Sequence, residues 1–195
     1  WFYINEWNQS TSHKNILYMN NVDRSYKENS SLDTVGQASL YIRNRHRNFN
    51  ILLDKYRNDI LVDIITTNES DNTRVTITRY RVNNVPIQKW NCLTISIDAK
   101  TLDIYLGGKL VKSYILPGIY KSNNEDNIYL GNSNETNFNG YITRVRYLTY
   151  FINPQESYEI YMKGIKDSIS KNLFNKYALK LAFIEDNKEK SSVMI

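Results

Sequence analysis

The chain has 195 residues, enough for one well-buried core and too few for two full domains with linkers. Hydrophobic residues make up 41% of it and 16 residues are Tyr, a composition that argues against disorder and favours a β-rich fold. The net charge of +5 is too small for a typical nucleic-acid-binding domain. A single cysteine, Cys92, excludes an internal disulfide and a paired-cysteine metal or redox motif, and we predict that it is a small core residue.

Residues 1–151 alternate between short apolar segments and polar, Asn-rich turns, which predicts an all-β, antiparallel two-sheet sandwich. In "WFYINEW" the alternation places Phe2 and Ile4 on one face and Trp1 and Tyr3 on the other. "DILVDIITT" is apolar on both faces, as expected for a central strand. The further strand candidates, in chain order, are "NILYM" (15–19), "SLYIR" (39–43), "FNILLD" (49–54), "DILVDIITT" (59–67), "RVTITRYRV" (74–82), "KWNCLTISID" (89–98), "NIYLGN" (127–132) and "GYITRVRYLTYF" (140–151).

The stretch "DAKTLDIYLGGKLVKS" (98–113) predicts a tight β-hairpin. Its Gly107-Gly108 pair allows the positive φ values of a primed two-residue turn. The register counted back from this turn pairs Leu106 with Lys109, Tyr105 with Leu110, Ile104 with Val111, Asp103 with Lys112 and Leu102 with Ser113. Asp103 and Lys112 would then form a charged cross-strand pair, and Val111 would lie on the buried face.

A helix is predicted over "NPQESYEIYMKG" (153–164). Asn153 fits the N-cap, Pro154 the first helical position, Glu156 the capping box and Gly164 the C-terminal stop. We expect the face formed by Tyr158, Tyr161 and Met162 to pack against the sandwich.

Residues 165–195 form a C-terminal extension. Apolar residues recur there at three- or four-residue spacing, which predicts a second amphipathic helix, whereas "YALKLAFIED" (177–186) also alternates as a strand would. We expect the tail from residue 188 to be mobile or ordered by a partner. The apolar residues predicted to contact a partner are Ile165, Ile169, Leu173, Tyr177 and Leu181.

The order of these motifs resembles the concanavalin A-like, laminin-G-type jelly-roll domains. The segments that carry the resemblance are "WFYINEWN" (1–8), "VPIQKW" (85–90), "LDIYLGGKLV" (102–111) and "LPGI" (116–119). They are similar in particular to the version of this domain in virion-associated proteins of nucleocytoplasmic large DNA viruses. The resemblance implies a jelly-roll domain over 1–164, with its first strand upstream of residue 1, and it does not reach the extension.

This resemblance implies a non-enzymatic virion component, either a minor capsid protein or a shell protein linked to the inner membrane. Its partners would be other capsid or virion proteins, and a segment upstream of residue 1 would contact the viral membrane. No cofactor and no nucleic acid are expected.

The superfamily also contains glucanases, so catalytic carboxylates have to be considered. Retaining hydrolysis needs two of them about 5 Å apart. No strand carries alternating acids, and Asp59 and Asp63 are four residues apart. Neither His13 nor His46 has a Ser or Cys nucleophile signature beside it. We therefore predict no catalytic residues, with a glycoside hydrolase that uses Asp59 or Asp63 as the least favoured alternative.

Three kinds of binding site remain open. Oxygen ligands for calcium occur in "ESDN" (69–72) and "NNEDN" (123–127), but both read equally well as polar turns, so no metal site is predicted. A lectin-like site for glycan could use Tyr120 and Tyr129 near "NSNETNFN" (132–139). In "YIRNRHRNFN" (41–50) the basic side chains would contact phosphate, an acidic protein or lipid headgroups, or would simply protect a strand edge. These basic residues are Arg43, Arg45, His46 and Arg47.

Overall fold

The computed structural model describes residues 1–7, 12–20, 47–67, 75–120, 126–131, 137–165, 180–185 and 188–194. The chain divides into two compact units, Trp1–Tyr161 and Met162–Ile195. The predicted strand over 39–43 and the loop "ESDN" lie outside the described residues.

The first unit contains short strands followed by one helix, as the sequence predicts. The strands are β1 (Phe2–Ile4), β2 (Lys14–Asn20), β3 (Arg47–Leu53), β4 (Ile60–Thr67), β5 (Val75–Val82), β6 (Trp90–Asn91), β7 (Leu93–Asp98), β8 (Thr101–Leu106), β9 (Lys109–Ile115), β10 (Ile119–Tyr120), β11 (Ile128–Leu130) and β12 (Gly140–Ile142). The helix α1 (Pro154–Lys163) begins in the first unit, and the second unit contains β13 (Lys180–Glu185) and β14 (Lys188–Met194).

The strands of the first unit form an antiparallel sandwich. One sheet of six strands has the order β10-β4-β3-β2-β11, and its sixth strand, β5, also pairs with β4. The opposing strands form two three-stranded sheets, β12-β1-β6 and β7-β8-β9. Only Cys92 separates β6 from β7, and its carbonyl accepts the N–H of Gly107 at 2.8 Å. Cys92 is buried, so its predicted role as a core residue is confirmed.

Alternation decides which side chains enter the core. Phe2 and Ile4 are buried, and they join Leu102 and Ile104 of β8 in one apolar cluster. From the larger sheet the cluster takes Ile16, Ile51, Leu53, Ile60, Val62, Ile64, Tyr80 and Val82. Every residue of β4 is buried, which confirms that "DILVDIITT" supplies a central strand. The all-β sandwich is therefore confirmed.

The turn of the β8–β9 hairpin is as predicted. Gly107 and Gly108 have φ values of +61° and +74°, the left-handed conformation that a primed turn requires at both positions. Gly108 also lies under the helix, because a Cβ atom there would stand 2.8 Å from Cβ of Tyr161 and 3.1 Å from Cα of Tyr158.

Beyond its first two residue pairs, the hairpin departs from the predicted register. A β-bulge shifts the pairing by one residue, so that Ile104 faces Lys112 and Asp103 faces Ser113. The predicted charged pair of Asp103 and Lys112 is therefore wrong, and Asp103 accepts a hydrogen bond of 2.5 Å from the Ser113 hydroxyl. Val111, predicted to be buried, falls at the bulge and is 38% exposed.

The ends of helix α1 confirm the predicted capping. The N–H of Glu156 donates to Oδ1 of Asn153 at 2.9 Å, and the N–H of Asn153 donates to Oε2 of Glu156 at 3.0 Å. These two bonds form a capping box. Gly164 follows the helix with a φ of +61°, the conformation expected at a C-terminal stop.

The packed face of the helix differs from the prediction. Ser157 is fully buried, whereas Tyr158 and Met162 are 49% and 63% exposed. Of the three predicted residues only Tyr161 is half-buried, and its ring stacks on Trp1 with a centroid distance of 5.8 Å. The glycine turn of the hairpin lies against Cα of Tyr158 and the side chain of Tyr161, so the helix backbone approaches the hairpin closely at this point.

The second unit contains a β-hairpin where a helix was the first expectation. Strand β13 pairs with β14 from Lys180 opposite Met194 to Glu185 opposite Lys188. The helical prediction is therefore wrong over 180–185, and the strand alternative is confirmed there. The prediction that the tail from residue 188 is mobile is also wrong over 188–194, because this segment forms β14 and its backbone pairs with that of β13.

Candidate functional site

An aromatic ladder lies on the outer face of the sheet β12-β1-β6. Tyr3 pairs directly with Tyr141 on one side and with Trp90 on the other. Its ring centroid is 6.2 Å from that of Tyr141 and 5.5 Å from that of Trp90, with interplanar angles of 52° and 60°. Since Phe2 and Ile4 point into the core, these three rings point away from it. Tyr141 is 60% exposed, so the ladder forms an accessible surface.

Contacts beside the ladder fix the strands that carry it. Trp1 stacks on Tyr161 with an interplanar angle of 18°. The side-chain amide of Asn5 donates to Oδ1 of Asn139 at 2.9 Å, and Nδ2 of Asn139 donates to Glu6 at 2.8 Å. The edge-on pair of Tyr3 with Trp90 and its tilted pair with Tyr141 add stability beyond the burial of the rings. The three rings are therefore held in place before any partner binds.

A loop cleft of about 600 Å³ lies between the β3–β4 connection and the segment that follows β5. The connection is shaped by Asp54, whose Oδ1 accepts the N–H groups of Tyr56 at 2.9 Å and Arg57 at 3.3 Å. On the other side Asn84 has a φ of +57°. The cleft is lined by Trp7, Tyr56, Arg57, Asn58, Asp59, Asn83, Asn84 and Ile87.

Arg81 joins two carboxylates beside the cleft. Its Nη1 lies 2.7 Å from Oδ2 of Asp59, and its Nη2 lies 2.9 Å from Oδ2 of Asp54. Burial raises the pKa of Asp54, but the two N–H donors of Tyr56 and Arg57 and the charge of Arg81 outweigh it, so this pKa lies below its ordinary value. Burial lowers the pKa of Arg81, and its bonds to the two carboxylates more than reverse that effect. Asp54 and Arg81 are therefore both ionised at neutral pH.

The two carboxylates named for the hydrolase alternative are both engaged by arginine. Asp63 is 2% exposed and binds Arg79 through two contacts of 2.6 and 2.7 Å. Asp59 is 3% exposed, binds Arg81 and accepts the N–H of Asn84 at 3.1 Å. Asp63 thus links β4 to β5, and Asp59 links the start of β4 to β5 and to the segment that follows β5.

The structure does not bring the predicted glycan residues together. Tyr120 belongs to β10 and Tyr129 to β11, and three strands separate these two in the sheet order. Tyr129 is 41% exposed and stacks on Tyr18, with a centroid distance of 4.9 Å. Tyr120 and Tyr129 therefore lie at opposite ends of the sheet order and do not form one site.

Most of the predicted basic patch and extension lies outside the described residues. Arg47 is the first residue of β3, while Arg43, Arg45 and His46 fall in the undescribed stretch before it. In the extension, Ile165 is half-buried just after the helix and Leu181 belongs to β13. Ile169, Leu173 and Tyr177 are not among the described residues.

No group of three or more His, Cys, Asp or Glu side chains in the described part of the chain could hold a metal ion. None of the helices described is long and apolar enough to cross a membrane.

Sequence reasoning missed both accessible surfaces. The alternation of "WFYINEW" correctly separates Tyr3 from the core side chains. The strands that place Trp90 and Tyr141 beside Tyr3, however, lie about 90 and 140 residues further along the chain. The cleft residues Tyr56 and Asn83 stand in turn segments whose polar composition resembles that of every other turn in this chain.

Two solved structures are similar to part of this chain. A botulinum neurotoxin type G receptor binding domain is 17% identical, with 80% of this chain covered and a TM-score of 0.39. A structure of an S-layer domain-containing protein (residues 221–444) from Clostridium thermocellum is 11% identical, with 58% of this chain covered and a TM-score of 0.33. The alignments span 41% and 55% of those two chains, about half their length. No curated protein sequence matches significantly.

The sequence profile of the concanavalin A-like lectin/glucanase superfamily matches residues 31–156, more than half of the chain. This match agrees with the antiparallel sandwich and confirms the jelly-roll family that the motif order predicts. It ends before the C-terminal extension, as the resemblance does. The fold is a general carbohydrate- or protein-binding one. The chain therefore belongs to the concanavalin A-like lectin/glucanase superfamily and carries its laminin-G-type domain.

Proposed function

We propose that this protein is a non-enzymatic interaction module in the particle of a large DNA virus, a minor capsid or membrane-linked shell component that contacts other virion proteins through the aromatic ladder. The viral context rests on the similarity of the segments at 1–8, 85–90, 102–111 and 116–119 to those of virion-associated proteins. A segment upstream of residue 1 would provide any membrane link.

The aromatic ladder is the observation that carries the proposed contact. Tyr and Trp are enriched among the residues that dominate protein interfaces, because a rigid ring buries a large area and loses little conformational entropy. Three such rings in register form a patch on the face opposite the core. More exposed rings follow in the chain, with Tyr150 at 59% and Phe151 at 55% exposure. Grouped exposed apolar side chains often mark an interaction surface, whereas single ones are ordinary on a soluble protein.

The charge arrangement supports a binding role over hydrolysis. Among the described residues that line the cleft, the single carboxylate is Asp59, and it is bound to Arg81. Glycoside hydrolysis needs one carboxyl group as acid and a second as nucleophile or base. Asp63 is bound to Arg79 on the neighbouring strand and does not line the cleft.

Incorporation of a Tyr141→Ala variant into virus particles tests this proposal. Tyr141 is 60% exposed, so its truncation should leave the fold intact while it removes interface area. Tyr56→Ala is the matched control, since Tyr56 is 62% exposed and lies in the cleft. We expect mass spectrometry of purified particles to find the wild type and the control, and to find Tyr141→Ala strongly depleted. Absence of the wild type from particles, or equal amounts of all three proteins, would refute the proposal.

The cleft favours a second candidate function, the binding of glycan. The exposed ring of Tyr56 offers an apolar face for a sugar ring, and the amides of Asn58, Asn83 and Asn84 can each donate and accept hydrogen bonds to hydroxyl groups. A glycan array probed with the purified protein measures this directly. Signals that Tyr56→Ala removes and Tyr141→Ala retains would establish the site, and an array without signal would exclude it.

A further inference from the structure

Strand β9 is the edge of the sheet β7-β8-β9. It runs for seven residues, Lys109–Ile115, and within the described part of the chain it pairs with β8 alone. Six of its seven residues are exposed, and Tyr114 is the exception. Edge strands in soluble proteins are usually short, covered or strongly charged, because their unpaired backbone groups can pair with another chain. This edge is long and accessible.

The side chains of β9 are unusually apolar for an exposed edge. Ile115 is 84% exposed, Leu110 47% and Val111 38%. The bulge beside Val111 divides the edge and leaves Lys112–Ile115 as a regular segment. In that segment Ser113 and Ile115 share the outer face, opposite Asp103 and Thr101 of β8. A strand added at this edge would therefore cover Ile115.

The charges on β9 select the kind of strand that can be added. Lys109 and Lys112 are exposed, and neither forms an ion pair with any residue that the structure describes. A second copy of the chain would bring its own lysines to the same edge, and the net charge of +5 adds to that repulsion. An opposing strand with Asp or Glu would instead pair with both lysines.

We propose that β9 accepts an added β-strand from a partner protein, an extended segment in which acidic and apolar residues alternate. The backbone groups of β9 supply the hydrogen bonds, Ile115 supplies apolar area, and Lys109 and Lys112 give the preference for acidic residues. This site is separate from the aromatic ladder and does not depend on the role proposed for it.

A fluorescent eight-residue peptide that alternates Glu and Val tests the proposal by anisotropy with the purified full chain. Its two controls are a Lys-Val peptide and a Glu-Val peptide N-methylated at alternate positions, which keeps the charge and blocks strand pairing. We expect binding of the first peptide only, with slower hydrogen exchange over residues 109–115. The Lys112→Glu variant should weaken binding roughly tenfold. The same charge change in the β5–β6 segment, Lys89→Glu, should have little effect.

Each alternative has its own outcome. Equal binding of the methylated peptide would reduce the interaction to charge attraction and overturn the proposal. No binding of the Glu-Val peptide would also overturn it. Concentration-dependent dimers that Lys112→Glu changes, seen by sedimentation without peptide, would assign the edge to a second copy instead. Because Tyr141→Ala leaves β9 untouched, failure of the ladder to bind a virion protein would not alter these results.

Discussion

The buried ion pair of Asp63 and Arg79 provides the sharpest test of a structural rather than catalytic role for the strand carboxylates. Asp63→Asn keeps the shape of the side chain and leaves Arg79 without its counter-ion. Removal of one partner from a fully buried pair costs about 3 to 5 kcal/mol. Asp63 is 2% exposed, but the Arg79 side chain is 25% exposed and partly solvated, so we expect a loss of about 3 kcal/mol. For a chain of this size that loss lowers Tm by roughly 6 to 12 °C.

Urea unfolding followed by Trp fluorescence measures this loss. Asp98→Asn is the matched control, because Asp98 is exposed at the end of β7, and we expect its effect to stay within about 0.5 kcal/mol. The double variant Asp63→Leu, Arg79→Leu should recover most of the loss, since neither charge remains buried alone. A stable Asp63→Asn protein that had lost a measurable glycan-hydrolysing activity would refute the reasoning.

Three further predictions concern the hairpin turn at Gly108, the carboxylate of Asp54 and the thiol of Cys92. Gly108→Ala should destabilise the fold by about 1 to 3 kcal/mol more than Gly107→Ala, because both force alanine into a left-handed conformation but only the Cβ at position 108 would stand 2.8 Å from Tyr161. Equal losses of unfolding free energy in urea would contradict the contact between the turn and the helix. Since the folded pKa of Asp54 is lowered, its contribution to stability is present above about pH 4 and declines as pH falls through the folded pKa, so unfolding at pH 6 and pH 3 should differ less in Asp54→Asn than in the wild type. Burial raises the pKa of the Cys92 thiol, so a thiol reagent at pH 8 should label it in urea but only slowly in the native protein.

Features set by neighbouring residues were predictable from the sequence. The capping box of α1 needs Asn153 and Glu156 three residues apart, and the primed turn needs a glycine pair. The bulge at Val111 was not predictable, because it depends on how the edge strand fits β8 over its whole length. The helix prediction for the extension was wrong for a related reason. The apolar residues there fit both a helical period and a period of two, and the strand forms because β14 pairs with β13.

The candidate site illustrates the same limit at longer range. Asp63 and Arg79 belong to strand candidates that the sequence predicts correctly, but they become an ion pair only because β4 and β5 pair in the register that sets these two residues opposite each other. The aromatic ladder likewise requires three strands from distant parts of the chain. Single residues could be assigned to faces from alternation alone, whereas the groups that they form depend on strand pairings that alternation does not encode.

Two separate surfaces on one unit have a consequence for assembly. The aromatic ladder would bind through side chains on the face of the sheet β12-β1-β6, and β9 would bind through its backbone at the edge of the sheet β7-β8-β9. A module with one surface can only form a pair, whereas a module with two different surfaces can bridge two neighbours, which the proposed shell component would do. Cross-linking in particles can separate the two contacts. Tyr141→Ala should remove one set of cross-links and Lys112→Glu the other, and loss of the same set in both variants would show that the two surfaces serve a single partner.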